Sequence, residues 1–374
     1  GVESTYNYNY SKAYDQTLEI EGNQVTGLSK KFAIPTRYPS NGSSYTSFAS
    51  YVNWSWNMSE FFTFNVGTRL TFTGLKASWN DVISVNPQLS EVNLNSKALT
   101  TTVSIKLRPS KRVQINTVLS SGFRNPNIDD IGKIRENNGL LVVPNTFLKP
   151  EYAYNLDLGF DFRSLNNTNF ISLRGFSTII SRHIGRDEYV VFSDITTPDL
   201  STIIYNGEEV TTISNKNLGN RFIHGFSIDG FSKIMSNLKL DYALTYTRGD
   251  NNDTYGPLPS ISPLFGSIAL SYSKRGLNLR AVYKFSEAKN PSEYSFGGED
   301  GLDETPFIVN SEGLLTYLGT PKWSDLSIYG SKNISSNVTL RIGLTNVFDS
   351  HYRTFASGIS APGRSFQVGL NLKL

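Results

Sequence analysis

Alternation of apolar and polar residues, sustained over ten or more positions at a time, constrains this chain more than any other feature. In "FTFNVGTRLTF", Phe62, Phe64, Val66, Leu70 and Phe72 share one parity, interrupted only by Thr68, while Thr63, Asn65, Gly67, Arg69 and Thr71 fill the other. "YAYNLDLGFDF" sets Tyr152, Tyr154, Leu156, Leu158, Phe160 and Phe162 against Ala153, Asn155, Asp157, Gly159 and Asp161. Successive side chains fall on opposite sides only in a β-strand, so each segment is a strand with one oily and one wet face.

The same pattern marks about fourteen strands, near 3–13, 44–57, 61–76, 97–109, 111–122, 151–163, 168–183, 218–233, 237–248, 262–274, 276–288, 323–333, 336–346 and 364–374. A tilted strand needs about nine to eleven residues to cross a bilayer, and many of these reach that length. Their connections alternate between short turns ("MSE", "PS", "SLNN", "MSN", "SKRG", "NISSN") and long links at 14–43, 77–96, 123–150, 184–217, 249–261, 289–322 and 347–363. Short turns on one side and long loops on the other are the mark of a transmembrane barrel, with periplasmic turns and extracellular loops. Trp54, Trp56, Phe61 and Phe62 flank one turn, where an interfacial aromatic girdle sits. A soluble sandwich would show turns every 8 to 12 residues or so, and a propeller a repeat of about 40 to 50, neither of which is present. The fold class is therefore all-β, a transmembrane antiparallel β-barrel.

Composition removes most chemistries. The chain of 374 residues has no cysteine and three histidines, His183, His224 and His351, so thiolate catalysis, disulfides and Cys-ligated metals are excluded, and so few histidines argue against most triads and His cages. There is no G-x-S-x-G motif, and the reading is not an enzyme, with no cofactor and no metal site. A net charge of +3 leaves no footprint for nucleic acid. The start, "GVESTYNYNY", has no Met, charged n-region or apolar h-region, and reads as following a cleavage or a truncation. If the first strand rises from the periplasm, parity returns Leu374 there. Spacing alone leaves open a closed fourteen-strand porin or the last fourteen strands of something larger.

"GFRNPNIDDIGK" (Gly122 to Lys133) followed by "VPNTFLKPEYAYNLDLGF" (Val143 to Phe160) resembles a loop-and-strand signature of TonB-dependent outer-membrane receptors, in the form common among Bacteroidetes-type members. "TRYPSNGSSYTSFASYVNW", "GPLPSISPLFGSIALSY", "GTPKWSDLSIYG" and the terminal "LTNVFDSHYRTFASGISAPGRSFQVGLNLKL" resemble successive segments of the same barrel, in order. The resemblance implies a barrel of about 22 strands around an N-terminal plug. Residues 1–374 then form the C-terminal portion of the barrel, with the plug and roughly the first eight strands absent or on a separate chain.

It further implies capture of a scarce nutrient (an iron chelate, haem, cobalamin, a peptide or a glycan) and import driven by TonB through the plug. The expected location is the outer membrane of a Gram-negative bacterium, in contact with its lipid, with long loops extracellular and the C-terminus periplasmic. The alternative is a receptor-like barrel that scaffolds a multi-protein complex, with a surface lipoprotein as partner. Two departures stand out: the chain ends in Leu374 rather than an aromatic, and the loop from Gly122 to Glu151 lacks the His often found in the haem-transporting branch.

Candidate ligand contacts in the outside loops are Arg124, His183, Arg186, Tyr189, His351 and Arg353. His183 stands with Arg182 and Arg186 where a strand enters a long loop, placed to face an anionic ligand; the plainer reading is a solvated strand top. His351 in "DSHYRTF" carries the same pair of readings. His224 alternates with Phe222 and Phe226 and reads as structural or interfacial. Glu299, Asp300, Asp303 and Glu304 lack the order of a calcium loop and read as a solvated, Gly-rich loop.

Overall fold

The computed structural model describes residues 1–373 apart from 35, 37, 80–90, 132–133, 191, 195–196, 206, 253–255 and 297–299. Glu299 and Leu374 lie outside the described residues. The fourteen long strands pair in one antiparallel sheet in chain order. They are β1 (Val2–Asn9), β2 (Ser43–Asn57), β3 (Phe62–Ser78), β4 (Glu91–Ser110), β5 (Val113–Arg124), β6 (Glu151–Arg163) and β7 (Asn169–Ser181). β8 (Arg221–Met235), β9 (Leu238–Gly249), β10 (Phe265–Lys274), β11 (Leu277–Ser286), β12 (Trp323–Asn333), β13 (Val338–Thr345) and β14 (Ser365–Leu372) follow. Each coincides with one of the segments marked by alternation. No described helix is long and apolar enough to cross a membrane.

Register fixes two faces. Phe62, Leu107, Ile115, Phe160, Leu173, Ile228 and Leu244 follow one another across neighbouring strands on the outer face. Phe160 and Leu173 remain 38% exposed each, as expected of a wall that lipid covers. The opposite face is polar and internally paired: Arg69 with Glu3 at 2.8 Å, Arg174 with Asp161 at 2.9 Å and Arg280 with Asp241 at 3.4 Å. β1 and β14 each have a single neighbour among the described residues. An unpaired strand edge in hydrocarbon costs several kcal/mol per group.

The two faces give a direct test. Leu158→Arg, in the middle of β6 on the outer face, is expected to destabilise the folded barrel by about 2–4 kcal/mol in vesicles. Ser120→Arg, on the inner face beside Asn155, should be close to neutral. Urea titration of both variants in vesicles checks the assignment, and equal losses would reverse it.

Near the loop ends of β3 and β4 the inner face turns apolar. Leu75, Ala77 and Val92 are at most 4% exposed there and join a core with residues from two loops.

Candidate ligand-binding surface at the loop end

The loop between β5 and β6 starts with a self-bracing turn. In the short helix α1 (Ile128–Ile131), the Asp130 amide donates to Asn127 Oδ1 and the Asn127 amide donates to Asp130 Oδ2, each at 3.0 Å. Arg124 closes the turn by pairing with Asp130. Burial pushes the Asp130 carboxyl above its ordinary range, against the opposing pull of the Asn127 amide and the Arg124 guanidinium.

Beyond α1 the chain forms a hairpin, 135–137 against 140–142, around Asn138 and Gly139, both at positive φ (52° and 76°). Asn-Gly suits such a turn because both residues tolerate the left-handed region. Leu140, Leu141 and Val142 then pair in parallel with Thr211, Thr212 and Ile213 of the loop between β7 and β8. Residues 184–188 and 202–205 complete a five-stranded layer around 208–217.

Side chains lock the two loops together. Ser214 Oγ donates to the Val143 carbonyl at 2.6 Å, Asn145 Nδ2 to that of Asn215 at 2.8 Å, and Asn215 Nδ2 to that of Asp130 at 3.1 Å. Beneath them Ile131 and Leu141 are fully buried, with Val143 and Ile184, against Leu75, Trp79 and Val92 of the barrel. The stretch that resembles the receptor signature is thus one half of a compact cap.

Four of the six candidate residues belong to this cap. Arg124 holds Asp130. His183 is 8% exposed; its Nδ1 lies 3.1 Å from Glu151 Oε2, the oxygen that also accepts the Ile184 amide at 2.6 Å. Arg186 sits opposite Asn215 in the layer. The Tyr189 amide donates to the Thr212 carbonyl at 2.9 Å, and burial of its ring against the cap core raises the phenol's pKa.

His351 and Arg353 form a second group on the last loop. His351 Nε2 is 3.1 Å from Ser360 Oγ, Arg353 Nε donates to the same hydroxyl at 3.2 Å, and Arg353 Nη1 donates to the Glu304 carbonyl at 2.9 Å. This loop and the one after β11 enclose a cavity of about 550 Å³ lined by Lys322, His351, Tyr352, Arg353, Asp303 and Phe307 among others. Mixed charge over a largely apolar lining suits an amphipathic small molecule. No cluster of three or more metal-ligating side chains occurs among the described residues.

Two features of this group had no sequence signal. Lys289, 4% exposed, pairs with Asp300, 3% exposed, at 3.2 Å, and its ammonium sits 4.1 Å from the Phe355 ring centroid. Asp300 is therefore a buried clamp and not the solvated carboxylate expected. A bond of 3.1 Å from Asn138 Nδ2 to Asp303 Oδ2 ties the cap to the second group.

A family model described as TonB dependent receptor-like, beta-barrel, matches residues 1–347. The chain belongs to the TonB-dependent receptor β-barrel family. Among curated relatives, this receptor chain is 25% identical over 297 residues to Hemoglobin-binding protein A of Haemophilus influenzae, covering 74% of the chain and 27% of the relative. It is 26% identical over 267 residues to Hemoglobin-haptoglobin utilization protein B of Neisseria meningitidis serogroup C, covering 67% and 31%. The chain thus spans about a fifth to a third of the curated relatives it matches.

Among solved structures, the copper transporter OprC aligns with a TM-score of 0.72 at 17% identity, over 100% of the chain and 53% of the transporter. The hemophore receptor HasR of Serratia marcescens aligns at 0.63 and 14% identity, over 100% and 56%. These likenesses establish the barrel fold. Relatives in this family are outer-membrane receptors and transporters of Gram-negative bacteria and not enzymes.

Proposed function

We propose that this receptor barrel takes up an iron-bearing nutrient across the outer membrane by TonB-driven import. Residues 1–374 supply the C-terminal part of the barrel wall, strands nine to twenty-two in a barrel of about 22. A plug and the first strands, from the same receptor or a second chain, complete the barrel and couple it to TonB. The long loops face the exterior and β14 ends at the periplasmic side. The carrying observation is the family match over residues 1–347 on a fourteen-stranded sheet whose two end strands each have a single neighbour among the described residues. A Bacteroidetes-type source is proposed from the sequence resemblance alone.

Iron is favoured among the nutrients by the relatives, two of which are named for binding or using haemoglobin. Within the loops, the cavity edged by His351, Arg353 and Lys322 is the proposed ligand contact, while Arg124, His183, Arg186 and Tyr189 hold the cap in place beside it. No histidine occurs between Gly122 and Glu151, and His183 is committed to Glu151, so within these loops direct contact with a haem iron would fall to His351.

The test is growth of an iron-limited strain on haemoglobin, free haem or ferric siderophores as sole iron source. Growth on one of them should disappear on deleting the receptor, on deleting TonB, and on excising residues 301–318. Unchanged growth on all of them, with surface proteins stably bound to the purified receptor, would replace transport by the scaffold role.

A further inference from the structure

We propose that Arg248 and His224 form a binding site for the phosphate of an anionic lipid headgroup, on the outer wall at the loop-end margin of the barrel. The inference rests on the fold and register and not on the transport reading.

Arg248 and His224 are direct cross-strand partners on β9 and β8, and the pairs that follow on the same face are Phe226 with Tyr246 and Ile228 with Leu244. Ile228 continues into Leu173 and Phe160, so both side chains lie on the lipid-covered face. His224 is only the fourth residue of β8, which puts the pair at the edge of the apolar band and not within it. Aromatic rings mark that edge: Phe222 lies 5.3 Å from the His224 ring, and Phe226 5.5 Å from Tyr246. Phe222 and Phe226 are 39% and 42% exposed, in the manner of an interfacial girdle.

Charge pairing separates Arg248 from arginines of the inner face. Arg69, Arg174 and Arg280 each reach a carboxylate across the sheet. Arg248 has no ion-pair or hydrogen-bond partner among the described residues, although Glu287 and Glu293 border the same hollow. Glu293 is engaged by its own loop, its Oε2 accepting the Asn290 amide at 2.8 Å. An unpaired guanidinium is tolerated at this depth because cationic residues on the lipid face cost about 0–1 kcal/mol near the interface.

What it meets there is the headgroup layer. A planar guanidinium matches phosphate geometry with two parallel donors. Directly opposite, the imidazole adds a second donor, and Ser177, the partner of His224 on β7, presents a hydroxyl on the same face. Three donors from three adjacent strands thus stand in one row across the sheet, above a wall of rings and aliphatic side chains that accommodates the acyl chains.

The test uses the intact receptor purified in mild detergent, with phosphatidylglycerol as probe and native mass spectrometry as readout. Wild type should retain phosphatidylglycerol in preference to phosphatidylcholine. Arg248→Gln should lower that retention by about tenfold or more, the scale expected for losing a charge-assisted hydrogen bond. Arg248→Lys should keep most of it, and His224→Gln should give a smaller loss. Heat-modifiable mobility on gels shows that each variant is folded. Equal retention by wild type and the folded Arg248→Gln/His224→Gln variant would overturn the site. Displacement of the lipid by millimolar inorganic phosphate would overturn the lipid as its occupant.

Discussion

Leu141→Ala is expected to loosen two loops at once, although the residue belongs to only one of them. Leu141 is fully buried and lies among Ile131, Val143 and Val210 above Leu75 and Val92. Truncating a buried leucine costs about 2–5 kcal/mol, depending on how far the site collapses. The other fully buried cap residues, among them Ile131, Val143, Thr212 and Ile213, come from both loops, so a cavity opened among them weakens both together. Hydrogen exchange should quicken together in 125–150 and 184–217 while the mid-strand amides of β5 to β8 stay protected. Exchange confined to the first loop would show that the loops are independent and would sink the account of a shared cap.

Lys289→Met should have a comparable effect on the other side of the loop end. Burial pushes the Lys289 ammonium below its ordinary pKa, and Asp300 pulls it back only in part. The Lys289 Nζ also donates to the Ile261 carbonyl at 2.7 Å, and Asp300 Oδ1 accepts the Ser260 amide at 2.7 Å. Removing the lysine leaves a buried carboxylate without its counterion, a loss of about 3–5 kcal/mol in comparable pairs. The expected result is rapid exchange in 287–322 and in the last loop, which Lys289 touches through Phe355. Adding Asp300→Asn to the variant should restore part of the protection, because the stranded charge is then gone. Protection unchanged in Lys289→Met would mean that the pair holds nothing together.

All fourteen strands were legible because a half-wet, half-oily wall writes its geometry into every second residue. The largest misjudged boundary is instructive. β4 begins at Glu91, six residues before the strand expected from 97, since Val92 and Leu94 point inward where a polar residue is the rule. They do so to meet the cap, and a local pattern carries no notice of a partner loop. The cap strands themselves run three to five residues apart from 208–217, too short for any period to emerge. Asn138-Gly139 was the one usable signal there, a turn dipeptide without alternating flanks.

Site residues fared unevenly for a related reason. His183 follows the end of β7 but is buried and not solvated, because its ring is claimed by Glu151, 32 residues away in sequence. Lys289 and Asp300 come from irregular loops, where neither spacing nor composition announces a pair. In each case the decisive partner is distant along the chain.

The parallel pairing of 140–142 with 211–213 has a kinetic consequence. Ser214 and Val143, bonded beside it, are 71 residues apart. The chain between them includes β6 and β7, so the two halves of the cap are held close only once that hairpin is aligned with β5 and β8. Closing so long a loop in an unaligned chain is entropically costly and slow, whereas registering adjacent hairpins is local. The cap is therefore a late-forming element, and the appearance of its protected amides during refolding would time the completion of the wall beneath it.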